Sequence, residues 1–164
     1  MVRDIPHQYA EGHPVEQLPS APGTYALVLF CSRARSLKVG RLGIFTFQPG
    51  WYVYVGSAFG PGGLRARCGR HCSRPERRRW HIDYLNTAAS VKAIWFSSDS
   101  VRREHQWAEL VGGFPEAGTP IAKFGATDCS CPSHLFYFRT RPSFGRFRKA
   151  IQRLLQAPAP SELT

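Results

Sequence analysis

No stretch of this chain leaves fewer conformational choices than Thr24-Tyr25-Ala26-Leu27-Val28-Leu29-Phe30, a β-rich run set off by Pro22-Gly23. Its composition suits a strand and its boundary is a turn signal. Gly43 to Phe47 and Trp51 to Val55, which meet at Pro49-Gly50, predict two more strands that continue the first as a meander. Ser57 to Gly63 reads as a flexible loop, Leu64 to Cys72 as a short helix and Trp80 to Leu85 as another. Val91 to Phe96 alternates as a strand does. Val101 to Val111 reads as a helix with Asp99 or Ser100 as N-cap and Gly112-Gly113 as its stop. Leu135 to Phe138 is a late strand. Finally, Phe144, Phe147, Ile151, Leu154 and Leu155 share one face of a helix whose other face carries Arg146, Arg148, Lys149 and Arg153.

A chain of 164 residues is long enough for one core and short for two. The expected organisation is an N-terminal arm over 1–21, a domain over 22–141, a basic amphipathic helix over 142–156 packed on that domain, and a frayed tail over 157–164. No apolar run approaches the roughly 20 residues a membrane helix needs, and the N-terminus lacks the apolar centre of a signal peptide, so the expected setting is cytoplasmic, without membrane. Cys31, Cys68, Cys72, Cys129 and Cys131 are an odd set for a disulfide framework in a reducing compartment and read as thiols or metal ligands.

The formal charge of +11, from 22 Lys and Arg against 11 Asp and Glu, favours anionic partners. Arginine dominates, and its planar fork matches phosphate oxygens. Nucleic acid is the first candidate, DNA ahead of RNA.

Five residues carry the chemistry. Gly23-Thr24-Tyr25 opens one strand and Tyr54-Val55-Gly56 closes another just before the glycine-rich loop. Either tyrosine alone is most simply a packing residue. On the following helix Leu64, Arg67 and His71 fall at i, i+3 and i+7, which turns guanidinium and imidazole toward the protein body, whereas Arg65 and Arg70 point elsewhere. Glu104 falls on the same helical stripe as Val101, Ala108 and Val111. An ionised carboxylate on an apolar stripe requires a partner, either an arginine or a metal.

The order Gly-x-Tyr, Tyr-x-Gly, helical Arg with His four positions on, and helical Glu resembles the GIY-YIG nuclease superfamily. Tyr52 to Ala58, Trp80 to Leu85, and Phe124 to Cys131 with His134-Leu135-Phe136 are similar to the subfamily labelled DUF123, found alone or fused to endonuclease III type repair enzymes. The likeness spans about residues 22 to 140. It implies an α+β fold, with a small, mainly antiparallel sheet flanked by helices. The 28 residues between Tyr25 and Tyr54 exceed the usual hairpin, so an added strand is expected around Gly43 to Phe47. By residue, the resemblance implies catalytic roles for Tyr25, Tyr54, Arg67, His71 and Glu104, with Gly56 as the motif glycine and Glu104 as ligand to a divalent cation, Mg2+ or Mn2+. The family's later asparagine has no clear counterpart, and Asp128 is the candidate for that place. Ser57, Arg65, Arg70, Arg77, Arg78, Arg79 and His81, along the densely basic stretch from Arg74 and its flanks, are the expected nucleic-acid contacts.

The implied activity is metal-dependent hydrolysis of DNA phosphodiester bonds, in repair, recombination or defence, by a monomer. The rival class is a basic nucleic-acid-binding module without catalysis; intact Tyr25, Arg67 and Glu104 argue against it. Cys129, Cys131 and His134 raise a further possibility, structural Zn2+ completed by Cys68 or Cys72, although three ligands within six residues lack the usual paired spacing.

Overall fold

The Thr24–Phe30 run becomes the middle of β2 (Gly23–Cys31), and its place at the centre of a sheet explains why it is apolar almost without alternation. In the computed structural model, which describes residues 5–10, 15–73 and 76–156, successive β2 side chains enter two different cores. Tyr25, Leu27 and Leu29 point into one, Ala26 and Val28 into the other, as the period of two requires when both faces are covered.

The fold is α+β. Its main sheet has five strands in the order β1-β6-β2-β5-β7, with every neighbouring pair antiparallel. They are β1 (His7–Ala10), β2, β5 (Gly50–Ala58), β6 (Ser90–Ser98) and β7 (Leu135–Phe138). The expected meander is corrected here. β2 pairs directly with β5, from Gly23 opposite Ala58 to Cys31 opposite Gly50. The intervening chain forms a separate hairpin of two strands, β3 (Arg35–Val39) and β4 (Gly43–Phe47). The insertion therefore adds a two-stranded flap, whose Val39 and Phe47 reach the first core. β3 escapes a sequence reading because its pattern is mostly exposed and polar.

Helices cover both faces. α1 (Gly63–Ser73) and α2 (His81–Leu85) place Leu64, Cys68, Ile82 and Leu85 in the core that holds Tyr25 and Tyr54. α3 (Glu104–Gly112) and α4 (Phe144–Gln156) place Trp107, Ala108, Val111, Phe147 and Ile151 in the other. There Trp95 of β6 stacks on Phe147 at 4.7 Å, and Trp107 meets the same ring edge-on at 4.9 Å. Leu154, expected on the buried face of α4, is 42% exposed.

Where described, the N-terminal arm is built into the domain. β1 adds an edge to β6, Leu18 is fully buried, and the carbonyls of Pro19 and Ala21 accept the first free N–H groups of α1. The tail 157–164 lies outside the described residues. No helix among the described residues is long and apolar enough to cross a membrane.

The helix expected from Val101 begins three residues later, at Glu104. Asp99 does not cap it: its carboxylate accepts the Val101 N–H at 3.0 Å and pairs with Arg103 at 2.6 Å. Instead the Thr24 hydroxyl on β2 accepts the Arg103 N–H at 3.2 Å. This bond ties the start of α3 to the central strand. Val101, placed on the apolar stripe by spacing, is 51% exposed.

Candidate active site

The site forms where β2 begins and β5 ends, at the register of Tyr25 opposite Gly56. A β-carbon at Gly56 would lie 2.4 Å from Tyr25 Oη, so the glycine of the second triplet is the space the first tyrosine occupies. Tyr54 lies two residues before Gly56 and therefore on the same face of β5. Gly125, at φ 66°, brings the backbone against the Tyr54 ring, where a β-carbon would lie 2.8 Å away.

α1 crosses this face and supplies the cation and the imidazole. The Arg67 guanidinium lies over the Trp80 ring at 4.4 Å and has no carboxylate partner among the described residues. One turn on, His71 is buried and its Nε2 lies 2.7 Å from Tyr25 Oη. Burial, partly opposed by Asp83 and reinforced by Arg67 and Arg70, pushes this histidine down to about 4, so the ring is neutral at pH 7. Its Nδ1 has no hydrogen-bond partner among the described residues. Burial also drives both phenols well above the ordinary tyrosine range. At Tyr54 the Glu104 charge pushes in the same direction and Arg67 opposes; at Tyr25 the Tyr54 contribution comes next after burial.

Glu104, first residue of α3, arrives from the opposite layer. Ser57 Oγ donates to its Oε2 at 2.6 Å, and His134 Nδ1 lies 3.1 Å from its Oε1, off the ideal hydrogen-bond line. Desolvation raises its pKa, but the His134 and Ser57 contacts and the charges of His134 and His105 outweigh it, leaving the carboxyl below the usual glutamate range. Among the described residues no arginine pairs with Glu104; its partners are the Ser57 hydroxyl and the His134 imidazole. Tyr25, Tyr54, Gly56, Ser57, Arg67, Trp80 and Glu104 together line one cavity of about 200 Å³.

The expected nucleic-acid contacts divide. Ser57 holds Glu104. Arg65 Nε donates to the Leu18 carbonyl at 2.8 Å. Arg70 is committed to Asp83, with two bonds of 2.8 and 2.9 Å, and covers the other guanidinium contact of Trp80 at 4.1 Å. It braces α1 against α2. His81 Nδ1 accepts the Gly125 N–H at 2.8 Å. Arg77, Arg78 and Arg79 have exposed side chains, and Arg74 lies outside the described residues. Asp128 is exposed and does not line the cavity, so it does not take the place of the missing asparagine. Sequence reasoning missed Trp80 as a site residue; the basic run just before it was the available signal.

A second cluster lies behind Glu104. His105, Cys129, Cys131 and His134 offer four ligand atoms within 4.8 Å of one another, a group able to hold a metal ion. The fourth member is His105, not Cys68 or Cys72. Cys68 is buried in the core and Cys72 is exposed on α1.

In comparison with known proteins, the model of the family DUF123, a domain of unknown function, matches residues 24–156. No curated protein and no solved structure matches.

Proposed function

The chain belongs to the DUF123 family, and from the cavity assembled within that family's span we propose that it is a metal-dependent nuclease of the GIY-YIG type acting on DNA phosphodiester bonds. The observation that carries this reading is the convergence of Tyr25, Tyr54, Arg67 and Glu104, from four separate elements, on one small cavity.

The donor set fits a hard divalent cation. Glu104 is ionised, borders the cavity and lacks an arginine, and a single carboxylate completed by water and substrate oxygens suits Mg2+ or Mn2+. Bound there, such an ion would supply Lewis-acid charge at the scissile phosphate.

The chain's own residues supply the rest. Arg67, whose N–H groups are bonded to no other residue among those described, donates to the phosphoryl oxygens as charge gathers on them. Tyr25 remains a protonated phenol at pH 7 and cannot act as a free phenolate. Its hydroxyl takes a proton from the attacking water as its own passes to His71 Nε2, 2.7 Å away and neutral. That contact favours Tyr25 over Tyr54 as the proton acceptor, and Tyr54 orients the water. Trp80 fixes the Arg67 fork by stacking.

For the Cys/His cluster the corresponding reading is zinc in a structural role, because two thiolates with two imidazoles are a tetrahedral, closed donor set. The excess of basic residues serves the DNA backbone.

With Mg2+ or Mn2+, the purified chain is expected to nick or cut DNA, and Glu104→Ala or Arg67→Ala to lower the rate by about 10²–10³-fold with circular dichroism unchanged. Full activity in both variants would place the chemistry elsewhere. A panel of single-stranded, duplex, branched and damaged DNA, with RNA, identifies the substrate.

A further inference from the structure

The segment from Cys129 to His134 crosses behind Glu104 with little apolar surface to hold it. Between its ends lie Ser130, Cys131, Pro132 and Ser133, and of these only Ser133 is buried. Its backbone is tied down by polar contacts. Lys123 Nζ donates to the carbonyls of Cys129 and Cys131 at 3.0 and 3.1 Å, and the Val55 N–H donates to the His134 carbonyl at 2.9 Å. The side chains this arrangement brings together are two thiols and two imidazoles. His105 Nδ1 lies 2.9 Å from Cys131 Sγ, and His134 Nε2 lies 3.6 Å from Cys129 Sγ. A tetrahedral zinc ion sets its sulfur and nitrogen ligands about 3.3–3.8 Å apart, so shifts of about an ångström close the shell.

His134 connects this cluster to the cavity. Its ring is buried, with Nε2 facing Cys129 and Nδ1 facing Glu104 Oε1 at 3.1 Å and, among the described residues, no other polar group. The geometry points to a zinc site of His105, Cys129, Cys131 and His134 that positions Glu104 through His134. A metal on Nε2 requires the ring proton to sit on Nδ1, where its one available acceptor is the Glu104 carboxylate. With the proton there, Glu104 would face one donor on each oxygen: Nδ1–H of His134, 3.1 Å from Oε1, and the Ser57 hydroxyl, which already donates to Oε2. Carboxylate–histidine–metal chains of this kind fix ring tautomer and ligand orientation together. His134 is accordingly a positioning residue, and the zinc ion stays out of the reaction. The value placed on Glu104 rests on the nuclease reading; the metal site and its link to Glu104 do not.

The test uses the full chain without nucleic acid. Zinc content is measured, then affinity by competition with a chromophoric chelator, and the Co2+-substituted protein gives a visible spectrum sensitive to its ligands. The expected result is one zinc per chain, lost in His105→Ala and Cys131→Ser and retained in Cys72→Ser, which removes a thiol outside the cluster. Glu104→Ala is expected to weaken zinc binding by about 10–100-fold and shift the Co2+ spectrum, with Glu104→Gln recovering part of the loss because its amide oxygen still accepts. Wild-type protein without zinc would overturn the site. Wild-type zinc affinity and spectrum in Glu104→Ala would overturn the link to the cavity. An active nuclease that fails either test refutes this inference alone, and an inactive chain that passes both refutes only the nuclease reading.

Discussion

At Gly56 a single hydrogen atom leaves room for a phenol. Gly56→Ala would drive a methyl group to within 2.4 Å of Tyr25 Oη, against a ring packed in the core. The expected outcome is a loss of about 1–3 kcal/mol in urea unfolding, the usual cost of overpacking, together with a fall in cleavage because the Tyr25–His71 contact is displaced. His71 makes a second residue-scale prediction. Its pKa is lowered to about 4 by burial, from an unfolded value near 6.5, so the unfolded chain binds more protons between those two values. Stability is therefore full above pH 6.5 and falls as pH drops toward 4, by on the order of 3 kcal/mol for this group. His81, also lowered by burial, adds in the same direction. Urea midpoints at pH 7 and pH 4.5 should show the loss, and His71→Gln should flatten it; a midpoint independent of pH over that range would contradict a buried neutral imidazole. These residues were legible in unequal measure. Tyr25, Tyr54, Arg67 and Glu104 stood out by motif order and helical spacing. Trp80 and His105 did not, because their partners come from other parts of the chain. The role of Thr24 was also out of reach: a β-branched residue suits a strand, and only tertiary structure shows its hydroxyl receiving the Arg103 N–H.

Elements whose burial follows a simple period were read from the sequence close to their true bounds: β2, β5, β6, β7, α1 and α4. β1 and β3, whose reason for forming is a neighbour, were not. β1 is four residues long and exists as an edge to β6, while β3 exists as the partner of β4. The start of α3 shifted because Asp99 spends its carboxylate on Val101 and Arg103, which leaves residues 101–103 as a connector. α4 shows what a strong helical period contributes once packed. Phe147 lies between Trp95 and Trp107 and is completely buried. Phe147→Ala should cost about 3–5 kcal/mol, read as a lower denaturant midpoint, since the two indoles cannot close on the space. A loss below 1 kcal/mol would mean that α4 is not part of the cooperative unit.

On the scale of the whole molecule, two layers of helices and one sheet bring a cation, a carboxylate and two phenols to the same end of β2 and β5, in a chain with formal charge +11. If that charge tracks a phosphate backbone, DNA affinity should fall steeply as salt rises, with a linear slope in log–log form, and an affinity insensitive to salt would argue for another kind of partner. The central claim is that Glu104 and Arg67 act as one unit on a scissile phosphodiester. Single-turnover cleavage by wild type, Glu104→Ala, Arg67→Ala and the double variant tests it most directly, because residues that act together lose far less in combination than the product of their separate losses. The account predicts two severe single defects and a double variant scarcely slower than the worse of them; a wild-type rate in either single variant, or two independent losses that multiply in full, would contradict it.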